Sequence, residues 1–295
     1  MNASMVILCL IWGFNFVIMK LGNGAFPPVL FAALRFLTGA IVLLGVVYMK
    51  KIPLPNKSDL KWYVLCALFQ TTFFNIAIQI SLNHVSAGLT SVLTYSMPLF
   101  LSIMAHWWIP GERLTPRKTI GIALGLFGLC LAMNIHLGGS IWALLLALSS
   151  AILWALANLI FKLKLKHCDS IQFTTWQMTI GAVGLLLYSL SFEHGESNWG
   201  WMPVVYILFS GIVASALAFV MWNRILSRTE ASKAAISLLL VPVVGVISGC
   251  IFLHENLKIG TLAGILFVLV GIWIVNSKSA HESHRVESNV EEKPL

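Results

Sequence analysis

Ten long apolar stretches recur along this chain, and charge is almost absent from each of them. They cover residues 3–21, 27–49, 60–82, 85–109, 116–135, 139–161, 171–192, 202–223, 232–253 and 258–276. A helix needs roughly 20 apolar residues to cross about 30 Å of hydrocarbon. Charged residues make up 10% of the chain and hydrophobic residues 58%, which is too little charge to cover a soluble protein. The pattern predicts an all-α polytopic membrane protein with ten transmembrane helices.

The basic residues between the stretches predict how the chain crosses the bilayer. Of the 19 lysines and arginines, sixteen lie in alternate connections (50–61, 113–118, 162–166 and 224–233) and in the tail. The other side of the membrane receives Lys20 and Lys258, and Arg35 lies within a stretch. Because cytoplasmic loops carry the excess of basic residues, we expect both termini in the cytoplasm of a multi-pass cell-membrane protein.

The two parts of the chain resemble each other. Trp12 precedes Lys20 by eight residues, and Trp154 precedes Lys162 by the same number. Other corresponding runs are SVLTYSMPLF (91–100) with SLLLVPVVGV (237–246), and GERL (111–114) with HENL (254–257). Five helices are an odd number, so two such repeats lie inverted in the bilayer. We expect repeats at 1–135 and 139–276, followed by a disordered cytoplasmic tail at 277–295.

Several of these runs resemble the EamA-type members of the drug/metabolite transporter superfamily. The matching segments are WGFNFVIMKLG (12–22), ALRF (33–36), GERL (111–114) and AAISLLLVPVVG (234–245), and the resemblance extends over about residues 1–276. The resemblance implies a ten-helix bundle that moves small metabolites, often amino acids or related compounds and often outward. It does not imply a particular substrate.

Polar and aromatic residues form stripes at helical spacing within the apolar stretches. We predict that they contact substrate in a central cavity, where Asn15 and Asn158 face each other across a pseudo-twofold axis. The candidates are Trp12, Asn15, Asn75, Gln79, Thr94, Tyr95, Trp154 and Asn158. The alternative for each side chain is a hydrogen bond that joins two helices.

Arg35 places a permanent charge about 10 Å into the second stretch, if that helix begins at Pro28. Three interpretations are open for it. Its side chain reaches back to the outer headgroups, or it clamps carbonyls and helix ends, or it faces an aqueous cavity and attracts an anionic group. The last of these makes Arg35 a further candidate for substrate binding.

Two pairs of residues at equivalent places in the repeats have predicted mechanical roles. Pro98 and Pro242 lie inside the fourth and ninth stretches and should kink or unwind them. Glu112 and Glu255 fall at opposite membrane faces and are candidate gates.

Small-residue spacings begin the fifth and tenth stretches, at Gly121-x3-Gly125 and Gly260-x3-Gly264. Such spacings let two helices approach closely. They predict packing within a monomer or, as the alternative, a homodimer interface.

The absence of some patterns limits the function. No acidic residue lies at mid-membrane, so facilitated diffusion outward fits better than proton antiport. There is no P-loop and no hydrolase or zinc-protease motif, so we expect neither an enzyme nor a cofactor nor a metal site. A net charge of +8 is spread over short clusters and does not indicate nucleic-acid binding. We predict a secondary exporter of small polar metabolites, with a multidrug or quaternary-ammonium exporter as the alternative.

Overall fold

A computed structural model describes residues 3–82, 84, 90, 93–132, 141–253 and 259–276. Throughout these residues the regular structure is helical, with no strand. This follows from the composition, because a helix satisfies its own backbone hydrogen bonds where the surroundings offer none. The structure therefore agrees with the predicted all-α class.

A helix lies on every predicted apolar stretch. The helices are α1 (Ala3–Asn23), α2 (Pro28–Met49), α3 (Leu60–Cys66), α4 (Phe74–Leu82), α5 (Met97–Trp108), α6 (Pro116–Ala132), α7 (Ile141–Ile160), α8 (Ser170–Phe192), α9 (Trp201–Leu208), α10 (Ala218–Arg228), α11 (Ala231–Ser237), α12 (Leu240–Leu253) and α13 (Ile259–Asn276). Three π-helical segments continue α3, α7 and α9: Ala67–Phe73, Phe161–Leu165 and Phe209–Leu217.

Six of the helical runs in the described residues are long and apolar enough to cross a membrane. They are Ala3–Asn23, Pro28–Met49, Leu60–Ser81, Ile141–Leu165, Trp201–Arg228 and Ala231–Phe252. The long helix α8 is not among them because it carries buried polar residues, including Gln172, Thr174 and Gln177. Ten crossings therefore stay a prediction.

Two of the π segments begin at positions that the predicted repeat makes equivalent. Ala67 and Phe209 are separated by the same stretch of sequence as Trp12 and Trp154, and each segment packs against a helix from the other part of the chain. In one contact, a Cβ atom added to Gly39 of α2 would lie 2.6 Å from the carbonyl oxygen of Gly211.

The second contact repeats the first. A Cβ atom added to Gly181 of α8 would lie 2.3 Å from the Cβ of Thr71, in the π segment 67–73. Gly39 and Gly181 have the same separation in sequence as the two segments that they approach. The two contacts are therefore equivalent under the repeat.

The helices near the two prolines are interrupted. A turn at 95–96 precedes α5, which begins one residue before Pro98. A turn at 238–239 separates α11 from α12, and Pro242 is the third residue of α12. Proline fits a first helical turn, where the backbone N–H has no acceptor within the helix. Each predicted kink position therefore coincides with a helix start just after a turn.

Glycines hold α6 and α13 close together. A Cβ atom on Gly128 would lie 2.5 Å from the carbonyl oxygen of Gly264, and one on Gly271 would lie 2.6 Å from that of Gly121. The small-residue faces of α6 and α13 therefore meet within one chain, and the choice between monomer and homodimer stays a prediction. Glu255, Lys258, the predicted tail at 277–295 and parts of the fourth stretch lie outside the described residues.

Candidate functional site

A cavity among α1, α2, α4, α7 and the π segment 67–73 is the candidate site. The cavity volume open to water centres is about 70 Å³. This is several times the roughly 10–15 Å³ that one buried water requires. Aromatic rings dominate its lining: Trp12, Phe16, Phe36, Phe74, Tyr95, Trp154 and Phe219. Such a lining suits a small molecule with an apolar body.

Two tryptophans of the lining pack against each other. The ring centroids of Trp12 and Trp154 are 5.9 Å apart, in an edge-to-face arrangement. Phe219 lies 5.3 Å from Trp12, and Tyr95 lies 5.8 Å from Trp154. Since edge-to-face pairs are favourable beyond the area that they bury, the rings form a stable wall.

The hydrogen bonds of these two tryptophans differ. The Nε1–H of Trp12 donates to the backbone carbonyl of Ala214, at 2.9 Å, in the π segment 209–217. The Nε1 of Trp154 is buried and has no acceptor among the described residues. Equivalent positions of the repeat thus carry the same side chain with different partners.

Arg35 lies on α2 with 6% of its surface exposed. Its Nη2 donates to Oδ1 of Asn75 at 2.6 Å, and its Nη1 lies 3.6 Å from Sδ of Met19. Its Nε has no acceptor in the described part of the chain. The buried position rules out the interpretation in which the side chain reaches the headgroups, and the guanidinium lines the cavity.

The amide of Asn75 aligns this guanidinium. Its Nδ2 donates to the backbone carbonyl of Thr71 at 2.6 Å, which turns Oδ1 towards Arg35. Across the cavity, Oδ1 of Asn15 accepts a hydrogen bond of 2.6 Å from Ser210. These contacts join α1 and α2 to their neighbours while leaving polar atoms at the cavity wall.

The structure brings seven of the nine substrate-binding candidates together. The lining includes Trp12, Asn15, Arg35, Asn75, Thr94, Tyr95 and Trp154. It does not include Gln79, whose Oε1 accepts a hydrogen bond from Asn23, or Asn158, whose Oδ1 accepts one from Trp222. These two amides join helices instead, and the two predicted amides, Asn15 and Asn158, do not share the cavity. The substrate role of all nine stays a prediction.

Part of the lining is not predicted by the sequence pattern. Gln70 lines the cavity from the π segment 67–73, and Phe219 lines it from the start of α10. Phe16 and Met19 lie on the same helix face as Trp12, and this spacing was the signal that could have identified them. For Gln70 the α-helical periodicity gives no such signal.

Away from the cavity, the predicted gate Glu112 is buried at the start of α11. Its two carboxylate oxygens accept hydrogen bonds from the backbone N–H groups of Ala231 and Ser232, at 2.8 and 3.3 Å. The hydroxyl of Ser232 donates to it as well, at 3.1 Å. A carboxylate satisfies free N–H groups at a helix start and matches the helix dipole there. We name this cluster of Glu112, Ala231 and Ser232 the clasp.

An ion pair lies beside the clasp. Nζ of Lys118 lies 2.6 Å from Glu230, and Nζ of Lys233 lies 3.0 Å from the same carboxylate. Burial alone raises the pKa of Glu230, but the hydrogen bonds and charges of the two lysines outweigh burial and leave that pKa lowered. The clasp joins the segment after α5 to the first residues of α11, and the ion pair joins α6 to the residue that precedes α11. The second predicted gate, Glu255, lies outside the described residues.

The chain matches known transporter sequences along nearly its whole length. The profile described as "EamA-like transporter family" matches residues 2–134 and again residues 141–277. The "Uncharacterized transporter YoaV" of Bacillus subtilis is 34% identical over 92% of this chain and 94% of its own length. The "Probable amino-acid metabolite efflux pump" of Salmonella typhimurium is 30% identical over 91% of this chain and 92% of its own length.

A crystal structure of similar fold exists. It superposes with a TM-score of 0.79 over 93% of this chain and 98% of its own, at 17% sequence identity. At that identity the likeness concerns the fold, which supports the arrangement of helices around the cavity.

Proposed function

Since this chain belongs to the EamA-like transporter family, we propose that it is a secondary transporter that exports small polar metabolites, amino acids or related compounds. The multi-pass helical fold and the transporter names of its relatives are the broad basis for this assignment. The single observation that carries the proposal is the buried cavity, which combines aromatic rings with a few polar groups.

Alternating access between two inverted repeats is the proposed mechanism. The two successive family matches, at 2–134 and 141–277, support a duplication, and so do the π segments at equivalent places in the two matches. Inverted repeats give a protein two related packings of similar energy, one open to each side. We place ten crossings in the cell membrane, with both termini in the cytoplasm, from the distribution of basic residues.

Facilitated diffusion down an outward gradient is the proposed mode. Proton-coupled exchange usually needs a carboxylate in the pathway. Among the described residues that line the cavity, none is an aspartate or a glutamate. A multidrug or quaternary-ammonium exporter is the alternative, because the aromatic rings of the lining could form a cage for such cations. The cation of Arg35 in the same cavity opposes a cationic cargo.

The test compares the small-molecule profile outside cells that express the wild type, Asn15→Leu or Asn158→Leu at equal membrane abundance. Each substitution removes one buried amide, but only the first changes the cavity lining. We expect one or a few metabolites to accumulate outside wild-type cells, and Asn15→Leu to reduce them about tenfold or more.

The matched control is Asn158→Leu, which loses the hydrogen bond that it accepts from Trp222; neither residue belongs to the cavity lining. We expect it to keep the export profile of the wild type at matched abundance. Identical profiles with and without the wild-type protein, for every compound detected, would refute export. Resistance limited to lipophilic cations would favour the multidrug alternative.

A further inference from the structure

We propose that the cavity binds its cargo by a carboxylate group, held by the guanidinium of Arg35 and the indole N–H of Trp154. This inference rests on the proposed transport function and names the class of cargo: small carboxylic acids with an apolar or aromatic body. Asn75 acts as a positioning residue for Arg35.

The cavity lining contains hydrogen-bond donors that have no acceptor among the described residues. Nε of Arg35 and Nε1 of Trp154 are both buried, both belong to lining residues, and neither has an acceptor among the described residues. Guanidinium and indole groups donate hydrogen bonds and accept none. Unlike an amide, neither can exchange donor for acceptor by rotation. The complement to such a pair is a group made of acceptors.

The described contacts of the Arg35 guanidinium carry no opposite charge. The described contacts of the Arg35 guanidinium are a neutral amide, a thioether sulphur and the ring of Phe36, 4.6 Å from the guanidinium carbon. No carboxylate pairs with it in the part of the chain that the structure describes. A buried charge is costly unless an opposite charge and hydrogen bonds compensate for it. An anionic acceptor in the cavity supplies both, and a carboxylate presents two oxygens to two donors.

Trp12 differs from Trp154 in the hydrogen bond of its indole N–H. Its indole N–H has an acceptor, because the carbonyl of Ala214 in the π segment 209–217 lies 2.9 Å away. The fold can therefore provide an acceptor to a tryptophan at this position of the repeat. At Trp154, its counterpart in the second family match, the equivalent donor has none within the described chain. The difference points to an acceptor that comes from outside the chain.

Aromatic rings lie next to both proposed donor residues. Phe74 and Tyr95 lie 5.4 and 5.8 Å from Trp154, and Phe219 lies 5.9 Å from Phe36, which adjoins Arg35. A molecule whose carboxylate reaches the two donors thus places its other atoms among aromatic rings. Apolar or aromatic bodies gain the most from this contact, whereas a second anionic group finds no partner there.

The experiment compares carboxylic acids with amides, in which the carboxylate charge is removed. Full-length protein in lipid nanodiscs is titrated by calorimetry with phenylpropanoate, phenylpropanamide, leucine and leucinamide. A hydrogen bond to a charged group contributes about 1.5–3 kcal/mol, so we expect each acid to bind roughly 10- to 100-fold more tightly than its amide.

Substitution of Arg35 identifies the donor. In Arg35→Gln we expect the preference for acid over amide to fall to about twofold or less, with amide binding retained. A purely structural clamp would instead weaken acid and amide together. The matched control is Gln177→Met, at the position of the second family match that corresponds to Arg35. Gln177 is buried and lies outside the lining, although its partner Gln70 is a lining residue. We expect that variant to keep the full preference.

A second variant keeps the test informative if Arg35→Gln does not fold. Asn75→Asp places a carboxylate beside the guanidinium, where Oδ1 of Asn75 now lies at 2.6 Å. The substitution also removes the hydrogen bond that Nδ2 of Asn75 donates to Thr71, so binding is the readout and stability is not. An internal carboxylate competes with the cargo for the guanidinium, and we expect acid binding to weaken at least tenfold while amide binding is retained. If Arg35 only holds helices together, acid and amide binding change by the same factor.

Each contrary result has a defined meaning. Equal binding of acid and amide by the wild type, or a preference that survives Arg35→Gln, overturns the carboxylate assignment. So does the absence of binding by every acid in the panel. None of these results tests export, which the extracellular profile measures. Export of an amine or a sugar would support the transporter proposal and refute the carboxylate assignment. If no compound is exported, both proposals are refuted.

Discussion

The two family matches, which we call the first half (2–134) and the second half (141–277), repeat a scaffold but not its chemistry. Trp12 and Trp154 occupy equivalent positions, yet only the first has an acceptor for its indole N–H among the described residues. Position 35 carries an arginine, and the equivalent position 177 carries a glutamine. The arginine lines the cavity, whereas the glutamine pairs with Gln70 at 2.7 Å.

This difference separates two kinds of buried polar group. Where the chain supplies the partner, as for Nε2 of Gln177 or for the clasp at Glu112, the contact joins helices. Oε1 of Gln177 has no partner among the described residues, but Gln177 lies outside the cavity lining. Nε of Arg35 also has none there, and Arg35 lines the cavity, which is why we propose it as a binding group.

The largest effect is expected at a close contact between the halves. In Gly39→Leu, the new side chain meets the carbonyl oxygen of Gly211 2.6 Å from its Cβ. Backbone cannot move aside as a flexible side chain can, so we expect a loss of about 3 kcal/mol or more in unfolding free energy. Gly181→Leu, at the equivalent contact with Thr71, should lose a similar amount if the scaffold is symmetric.

The matched control is Gly45→Leu in the same helix. A Cβ atom there meets nothing within 4 Å, and the position is exposed. Thermal unfolding of the purified variants measures all three. Wild-type stability in Gly39→Leu would contradict the close approach of α2 to the π segment 209–217.

A smaller effect separates the two tryptophans. Trp12→Phe and Trp154→Phe remove the same volume, but only the first breaks a hydrogen bond with a described partner. We expect Trp12→Phe to be the less stable variant by about 1–2 kcal/mol, because a buried carbonyl loses its donor. Equal midpoints in a thermal denaturation series would mean that the halves do not differ in this respect.

The smallest effect concerns the ion pair that joins the halves, between Lys118 and Glu230. The lysines lower the pKa of Glu230 against the effect of burial, so its ionised form is the one that folding favours. The stabilisation is present above the pKa of the unfolded chain, near 4.5, and is lost as pH falls through the lower folded pKa.

Glu230→Gln measures this contribution. The carboxylate is 39% exposed, so we expect a loss below about 1 kcal/mol at pH 7 that shrinks as the pH approaches the folded value. Thermal midpoints of the wild type and the variant, compared across that range, test it. A difference that is constant with pH would exclude a role for the charge.

Sequence periodicity predicted the helices well and the cavity in part. Apolar stretches placed a helix at each expected position, because length and hydropathy are local properties. The sequence pattern did not predict Gln70 because it lies five residues before Asn75. On an α-helix, residues at this spacing point about 140° apart. The π-helical segment closes its hydrogen bonds at i→i+5, so that both residues reach the cavity.

Hydrogen-bond partners were the other limit. Asn15 and Asn158 look alike in sequence, but one lines the cavity and the other bonds to Trp222. Of the three interpretations of Arg35, burial of its side chain excludes only the one in which it reaches the headgroups. Partners depend on contacts between segments far apart in the chain, and spacing within one stretch carries no information about them.

The buried cation at Arg35 also has an electrical consequence. One elementary charge that crosses the whole membrane field gains or loses about 2.3 kcal/mol per 100 mV. A carrier that is positive when empty and neutral when it holds an anion feels this field in one half of its cycle and not in the other. We therefore expect an imposed voltage across proteoliposomes to change the wild-type transport rate through the empty carrier. Arg35→Gln is neutral when empty and negative when it holds an anion, so we expect its voltage dependence to move to the loaded half of the cycle.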